Sequence, residues 1–328
     1  MKKNVVLDRA IPQSVRDYLT EHVHIWDCVT NEGLGKEKFF ELLEQAEGLL
    51  TSGTTIDAEL LNHAPKLKIV SSISVGYNHF DLEEMARRNV IGTHTPTVLD
   101  DTVADLIIGL MLSTARRIPE LDHYVRQGLW EEGPDTSLYG VDVHHATLGI
   151  IGMGRIGGAV AQRANWGFGM NVLYHNQGRR QAEAEEKYHA RLCTLEQLLR
   201  ESDFVVIMTP LTKETEKMMG YAQFAMMKPT AIFINASRGL VIDEIALIDA
   251  LQSRKIRAAG LDVYEVEPLP LDHPLLSMPN VVLLPHIGSA TASTRFQMAM
   301  LAAENLVAGL SGLTPKHIVK ELKHISLG

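Results

Sequence analysis

Apolar residues along this chain form short runs that alternate with segments in which they recur every three to four positions. The short runs predict strands, and the periodic segments predict helices. In the first hundred residues, strands are predicted at 4–7, 24–28, 48–50, 68–71 and 90–92, with helices at 13–21 and 36–45. Alternation of this kind is typical of parallel sheets, so this part of the chain predicts a small α/β domain.

The same alternation continues beyond residue 147. Strands are predicted at 171–174, 204–208, 231–235, 258–262 and 281–284, and a long final helix at 292–310. A helix at 102–116 precedes them, with Asp100 or Asp101 as its N-cap, Arg116 and Arg117 at its negative end and Pro119 as its stop. The fold class predicted is therefore α/β, with two doubly wound parallel-sheet domains.

A glycine-rich segment, TLGIIGMGRIG at 147–157, carries the strongest local signal. Gly152, Gly154 and Gly157 have the G-x-G-x-x-G spacing, after an apolar run and before a helical pattern. The first glycine permits a tight turn, the second lets a pyrophosphate approach the backbone, and the third lets helix pack on strand. The helix N-terminus then offers free N–H groups to phosphates. An ordinary turn is the alternative, but both flanks fit, and we predict dinucleotide binding.

Composition limits the possible functions. The chain has 328 residues, 45% of them hydrophobic, which suggests about two globular domains. Its net charge of −9 argues against nucleic acid as a main partner. It has no uninterrupted apolar stretch of the roughly 18 residues that a membrane span needs. Cys28 and Cys193 are its only cysteines, which fits a reducing cytoplasm.

Three consecutive late strands are each followed by a reactive side chain, namely Arg238, Glu267 and His286. Carboxyl ends of parallel strands share one edge of a sheet, where ligands bind. Reduction of a 2-oxo acid needs a carboxylate anchor, which arginine supplies, and a proton donor, which histidine supplies. A neighbouring glutamate favours the imidazolium and orients the ring. Each residue alone is more often structural, but the three together behind a nucleotide-binding turn favour an active site.

A fourth element, Val75 and Gly76 in the segment SVGY, follows an earlier strand. Consecutive backbone N–H groups there can hold a carboxylate, and a plain turn is an equally good interpretation.

Taken together, these segments resemble the D-isomer-specific 2-hydroxyacid dehydrogenase family. The similar stretches are SVGYNHFD (74–81), TPTVLDDTVADLIIGLML (95–112), TLGIIGMGRIG (147–157), FINASRGLVIDEIAL (233–247), GLDVYEVEPL (260–269) and PHIGSAT (285–291). Within the family, the run VDVHHATLGI (141–150) is most similar to bacterial reductases of glyoxylate and hydroxypyruvate, including those that reduce 2-ketogluconate.

The resemblance implies a flavodoxin-like substrate-binding domain, 1–100 with 288–328, and a Rossmann dinucleotide-binding domain, 101–287, with a cleft between them. It also implies a homodimer joined through the cofactor domains and no metal site. His286 becomes the acid/base, Glu267 its partner, and Arg238 the ligand of the substrate carboxylate and carbonyl, with the Val75 and Gly76 backbone beside it. Cofactor contacts are expected at Thr102, Gly152, Gly154, Arg155, Ile156, Gly157, His175, Thr209, Pro210, Ala236 and Asp262, the last for the nicotinamide carboxamide.

The segment 174–180, YHNQGRR, departs from NAD-selective relatives, which carry an acid there for the ribose 2′-OH. Arg179 and Arg180 can instead pair with a 2′-phosphate, so NADP(H) is the favoured cofactor and NAD(H) the alternative. The other interpretation is that these two arginines merely lie on a loop. Leu138 stands near a position where several hydroxypyruvate-reducing relatives have an aromatic residue toward the substrate site. Leucine would make that wall of the substrate site less bulky.

The sequence therefore predicts NADPH-dependent reduction of a small 2-oxo acid to a D-2-hydroxy acid, with glyoxylate, hydroxypyruvate and 2-ketogluconate all open as substrates. A different class of function, a dehydrogenase-like corepressor that senses the nucleotide, is the main alternative. Such relatives usually add disordered tails, which are not expected here. D-lactate and 3-phosphoglycerate dehydrogenases are less favoured because the acid for NAD is absent.

Overall fold

The computed structural model describes residues 2–28, 36–177 and 181–325. It divides into two compact units, Met1–Leu99 with Ala290–Gly328, and Asp100–Ser289. Among the described residues, no helix combines the length and the apolar character needed to cross a membrane.

The first unit is built on a five-stranded parallel sheet in the order β2-β1-β3-β4-β5. Its strands are β1 (Lys3–Leu7), β2 (Val23–Asp27), β3 (Gly48–Thr51), β4 (Ile69–Ser72) and β5 (Ile91–Thr93). Its helices are α1 (Gln13–His22), α2 (Lys36–Leu43), α3 (Ala58–Asn62), α4 (Leu82–Arg87) and, from the end of the chain, α12 (Ala292–Leu310). This strand order is that of flavodoxin-like folds.

Helix α12 belongs to the first unit because it packs on β3 and β4. The Ser71 hydroxyl donates to the carbonyl of Ala302 at 2.7 Å in the buried layer between them. Gly48 leaves room for the helix, since a Cβ there would stand 3.0 Å from Leu306.

The second unit contains a seven-stranded parallel sheet in the order β12-β11-β10-β9-β6-β7-β8. Its strands are β6 (Thr147–Ile151), β7 (Asn171–His175), β8 (Arg191–Leu192), β9 (Phe204–Ile207), β10 (Ile232–Asn235), β11 (Ala258–Leu261) and β12 (Val281–Leu283). Its helices are α5 (Asp100–Ala115), α6 (Ile118–Arg126), α7 (Arg155–Phe168), α8 (Ala182–Tyr188), α9 (Leu195–Glu201), α10 (Tyr221–Met226) and α11 (Glu244–Gln252). Two parallel sheets flanked by helices confirm the predicted fold class.

Two details around α5 differ from the sequence prediction. Asp100 and Asp101 lie inside the first turn of the helix rather than before it, where they pair with Arg155 and Arg163. Pro119 does not end α5, which stops at Ala115. It lies in the first turn of α6 instead, a position that tolerates proline because the N–H there has no partner within the helix.

Candidate active site

The glycine-rich turn joins β6 to α7. Gly152 has φ +101°, a left-handed conformation that favours glycine, and a Cβ on Gly157 would stand 2.5 Å from the Gly152 carbonyl oxygen. A Cβ on Gly154 would meet no atom within 4 Å, so the space in front of this residue is open. Gly154 is also the N-cap of α7 and provides no side-chain cap, which leaves the helix N–H groups for a ligand. The turn therefore fits a pyrophosphate.

The end of β7 supports this turn. The backbone N–H of Met153 donates to the side-chain oxygen of Asn176 at 2.7 Å, and the Asn176 amide donates back to the Met153 carbonyl at 3.3 Å. The backbone N–H of Gly152 donates to the carbonyl of His175 at 2.9 Å. Asn176, in the segment where NAD-selective relatives carry an acid, is thus a neutral side chain that also holds the turn.

The three reactive side chains follow three strands that are neighbours in the sheet, β10, β11 and β12. Arg238 follows β10, Glu267 follows β11, and His286 follows β12. The Nδ1 atom of His286 lies 2.7 Å from Oε2 of Glu267. Because a carboxylate only accepts, Nδ1 carries the proton and donates, and Nε2 is left to exchange a proton with a ligand.

The charges of this cluster influence one another. Burial raises the pKa of Glu267, but the hydrogen bonds from His286 and from the Tyr264 N–H, with the charges of His286 and Arg238, bring it below its ordinary value. Burial lowers the pKa of the Arg238 guanidinium, and the charge of Glu267 opposes that shift. A guanidinium has an ordinary pKa above about 12, so Arg238 stays a cation suited to binding an anion.

Asp262 fixes the backbone next to His286, a role that no pattern in the sequence indicates. Its two carboxylate oxygens accept hydrogen bonds from the N–H groups of Ile287 and Gly288, both at 2.8 Å. Burial raises the pKa of Asp262, and these two hydrogen bonds oppose the shift. His286 itself has φ 54°, a conformation unusual for a residue other than glycine, and such residues cluster at active sites.

The loop that carries Glu267 is held from several sides. The Tyr264 N–H donates to Oε1 of Glu267 at 3.0 Å, and the Tyr264 hydroxyl donates to the Leu284 carbonyl at 2.9 Å. The buried carboxylate of Glu244 accepts from the Glu265 N–H at 3.3 Å. A Cβ on Gly239 would stand 1.8 Å from the Tyr264 carbonyl oxygen, so only glycine lets the segment beside Arg238 approach this loop.

Comparison with known proteins places this geometry in a family. Residues 108–288 match the family described as D-isomer specific 2-hydroxyacid dehydrogenase, NAD binding domain. Glyoxylate/hydroxypyruvate reductase B of Klebsiella pneumoniae is 51% identical over 319 residues, which cover 97% of this chain and 98% of that protein. The chain belongs to the D-isomer-specific 2-hydroxyacid dehydrogenase family.

Solved structures agree with this placement. The NADPH-dependent glyoxylate/hydroxypyruvate reductase of Sinorhizobium meliloti, solved with NADP and malonate, has a TM-score of 0.86 at 33% identity and covers 98% of each chain. A glyoxylate reductase from Paecilomyes thermophila has a TM-score of 0.87 at 30% identity, covering 98% of this chain and 99% of that one. The predicted family is thus confirmed, and this chain is an oxidoreductase with a nicotinamide dinucleotide domain that acts on 2-oxo and 2-hydroxy acids.

The other residues expected to contact the dehydrogenase cofactor lie at strand ends or helix starts of the second unit. Thr209 and Pro210 follow β9, Ala236 follows β10, His175 ends β7, Thr102 lies in the first turn of α5, and Arg155 and Ile156 begin α7. The ring nitrogen Nδ1 of His175 donates to the Cys193 carbonyl at 3.1 Å. Arg179 and Arg180 lie outside the described residues. Their roles stay predictions, as does the effect of Leu138, which lies in a 3-10 turn at Thr136–Leu138.

In the first unit, Val75 and Gly76 follow β4, as predicted from the sequence, and both are half-buried. No hydrogen-bond acceptor for either N–H group is found in the part of the chain that the structure describes. Both groups are therefore available to an anion, and their substrate role stays a prediction.

Proposed function

We propose that this chain is an NADPH-dependent reductase that converts glyoxylate to the achiral glycolate, and hydroxypyruvate, and with it 2-ketogluconate, to D-2-hydroxy acids. The observation that carries the proposal is the 2.7 Å hydrogen bond between His286 Nδ1 and Glu267 Oε2, beside the Arg238 cation at the carboxyl edge of the sheet. The names of the relatives, reductases of glyoxylate and hydroxypyruvate, support the first two of these substrates.

In this proposal, Arg238 binds the substrate carboxylate and polarises the 2-oxo carbonyl. The N–H groups of Val75 and Gly76 also bind the carboxylate. When bound, the nicotinamide supplies a hydride to the carbonyl carbon. His286 donates its Nε2 proton to the carbonyl oxygen as charge develops there, and Glu267 keeps the ring oriented and stabilises the imidazolium.

Asp262 has a double role in the proposal. Its carboxylate fixes the backbone at Ile287 and Gly288, and an oxygen lone pair remains on each carboxylate oxygen to accept from the nicotinamide carboxamide.

The NADPH preference rests on the end of β7, where Asn176 stands in place of an acid, and on Arg179 and Arg180. The Sinorhizobium meliloti relative, named NADPH-dependent and solved with NADP, supports it. The direct test compares kcat/KM for NADPH and NADH, and a preference for NADH would refute the proposal. Asn176→Asp keeps the acceptor for the Met153 N–H but adds a negative charge, so it should cut the preference for NADPH by roughly 10-fold.

The substrate proposal is tested with a panel of 2-oxo acids, each assayed by the absorbance of NADPH. Turnover of glyoxylate and hydroxypyruvate supports it. Preference for pyruvate would indicate a D-lactate dehydrogenase, and preference for 3-phosphohydroxypyruvate a 3-phosphoglycerate dehydrogenase. Tight binding of the dinucleotide without any turnover would favour the nucleotide-sensing corepressor.

We further propose a cytoplasmic homodimer joined through the second unit. Helix α6 buries none of its residues, and Leu129, Trp130 and Tyr139, which follow it, are at least half exposed (50%, 71% and 63%). Large apolar side chains that are exposed in this way favour a protein contact here. Light scattering should give twice the chain mass, and Trp130→Ser should weaken the dimer. Leu271→Ser, at another exposed leucine, is the control.

A further inference from the structure

We propose that His94 is a positioning residue that orients the Gly76 N–H toward the substrate carboxylate, an inference that rests on the proposed role of Val75 and Gly76. His94 follows β5, and its Nδ1 lies 2.8 Å from the Val75 carbonyl oxygen. A carbonyl oxygen only accepts, so Nδ1 carries a proton and donates. The imidazole acts here as a hydrogen-bond donor to the loop.

The geometry of the peptide bond connects this contact to ligand binding. The Val75–Gly76 peptide is trans, so the Val75 carbonyl and the Gly76 N–H point in opposite directions within one plane. A side chain that holds the carbonyl therefore also sets the direction of the N–H. The Gly76 N–H itself has no acceptor among the described residues, which leaves it for a ligand.

The two neighbouring peptides are held in the same way. The Thr95 N–H donates to the Ser74 carbonyl at 2.8 Å, which directs the Val75 N–H. The Ser74 hydroxyl donates to the Gly76 carbonyl at 2.7 Å, which directs the Tyr77 N–H. Three consecutive peptide planes are thus fixed through their carbonyls. Only the plane that presents the Gly76 N–H depends on a side chain from outside the loop, and that side chain is His94.

His94 is well placed to hold its partner rigidly. Its backbone N–H donates to the His317 carbonyl at 3.1 Å, and its carbonyl accepts from the Asn305 side chain at 3.4 Å. Its ring packs edge-on against Tyr77, with centroids 5.2 Å apart at 87°. Because this ring is already constrained, little further conformational entropy is lost when the ligand binds, which is the advantage of preorganisation.

The test compares His94→Leu with His94→Asn in the full-length protein saturated with NADPH. Both substitutions remove the ring. Asparagine keeps an N–H donor one bond from Cγ, where Nδ1 stands in histidine, and leucine has a methyl group there. The ligand is oxamate, the amide analogue of a 2-oxo acid, whose carbonyl does not accept the hydride. Its Kd is measured by calorimetry, and KM and kcat are measured with glyoxylate.

For His94→Leu, we expect the oxamate Kd and the glyoxylate KM to rise by roughly 10-fold, the effect of losing one well-directed hydrogen bond to a charged group. The value of kcat should stay within about 2-fold, because the contact is made equally in ground and transition states. His94→Asn should restore both constants to within about 3-fold of the wild type. His24→Leu, at an exposed histidine of the same unit, should change neither constant.

Equal constants in His94→Asn and His94→Leu would overturn the inference, as would an unchanged Kd in His94→Leu or a loss confined to kcat. If His94→Leu does not fold, His94→Ala, which also removes the donor, replaces it in the comparison. A wild-type protein that binds NADPH but neither binds oxamate nor reduces any 2-oxo acid would overturn the proposed function itself and this inference with it.

Discussion

The loop at 74–77 in the first unit and the strand-end cluster of Arg238, Glu267 and His286 in the second present different kinds of chemistry. The cluster presents side chains, and its central contact is the hydrogen bond of His286 with Glu267. The loop presents backbone N–H groups, and side chains such as His94 only set their direction. A residue type can be identified in a sequence, whereas the direction of a peptide plane depends on the fold around it.

This difference also separates their expected effects on the reaction. Groups that transfer a proton act only as the transition state forms, so their loss lowers kcat. Groups that hold the carboxylate contact the substrate before and during reaction, so their loss raises KM. Substitutions in the cluster should therefore change mainly kcat, and substitutions that affect the loop should change mainly KM.

The first prediction concerns His286→Ala, which removes the proposed proton donor. We expect kcat for glyoxylate reduction to fall by at least about 100-fold, the usual contribution of general acid catalysis, with little change in KM. Steady-state kinetics with saturating NADPH measures both. His144→Ala, at an exposed histidine of the same unit, is the control. A kcat close to that of the wild type would exclude His286 as the acid.

The second prediction concerns Gly239→Ala, which adds a Cβ that would stand 1.8 Å from the Tyr264 carbonyl oxygen. Because the backbone must shift, we expect the free energy of unfolding to fall by about 1–3 kcal/mol and kcat/KM to fall by roughly 10-fold. Gly109→Ala in α5, where a Cβ meets no atom within 4 Å, is the matched control. It should be neutral or stabilising by up to about 1 kcal/mol. Equal stability and equal kcat/KM in Gly239→Ala and Gly109→Ala would contradict the close approach of Gly239 to the Tyr264 carbonyl.

Most of the fold follows from local sequence pattern. The strand predicted at 231–235 is found at Ile232–Asn235, and the final helix has the predicted bounds, Ala292–Leu310. Helix α6 was not predicted because Pro119 was interpreted as a stop, although proline suits the first turn of a helix equally well. Strand β8 was missed because two exposed residues at a sheet edge carry no hydrophobic pattern.

In the site, the residues proposed to act in the reaction have recognisable types at recognisable strand ends, and these could be proposed from the sequence. The contacts that hold these residues in place could not be proposed from the sequence. Asp262 was expected to hold the cofactor, and nothing in the sequence indicates that its carboxylate also accepts two backbone N–H groups. Glu244 follows the N-cap Asp243, so it reads as an ordinary acid in a first helical turn. Such contacts are tertiary and leave no periodic signal.

The third prediction concerns Ser74→Ala, which removes the donor to the Gly76 carbonyl. The Tyr77 N–H would lose its fixed direction, whereas the Val75 and Gly76 N–H groups keep theirs. We therefore expect the glyoxylate KM to rise by only about 3-fold with kcat unchanged, less than for His94→Leu. The exposed Ser14→Ala in α1 is the control. A larger effect on kcat than on KM would break the division between the loop and the cluster.

The smallest expected effect is on stability at acid pH. The pKa of Glu267 in the folded chain lies below its ordinary value, because the hydrogen bonds and charges around it outweigh burial. The unfolded chain therefore takes up the proton first as pH falls. The stabilisation from this carboxylate is complete above the ordinary glutamate pKa of about 4.3 and is lost as pH falls through the lower folded value.

Glu267→Gln removes this titration while keeping an oxygen that can accept from the Tyr264 N–H. The free energy of unfolding of wild type minus variant, measured in urea at a series of pH values, should be constant above about pH 5 and shrink below about pH 4. The 74–77 loop presents amides that do not titrate, and neither Ser74→Ala nor Ser14→Ala removes a titratable group. The free energy of unfolding of Ser74→Ala minus that of Ser14→Ala is therefore a reference that should not follow the same curve. A difference that widens on acidification would mean that burial dominates at Glu267, and that its charge strains the cluster rather than holding it together.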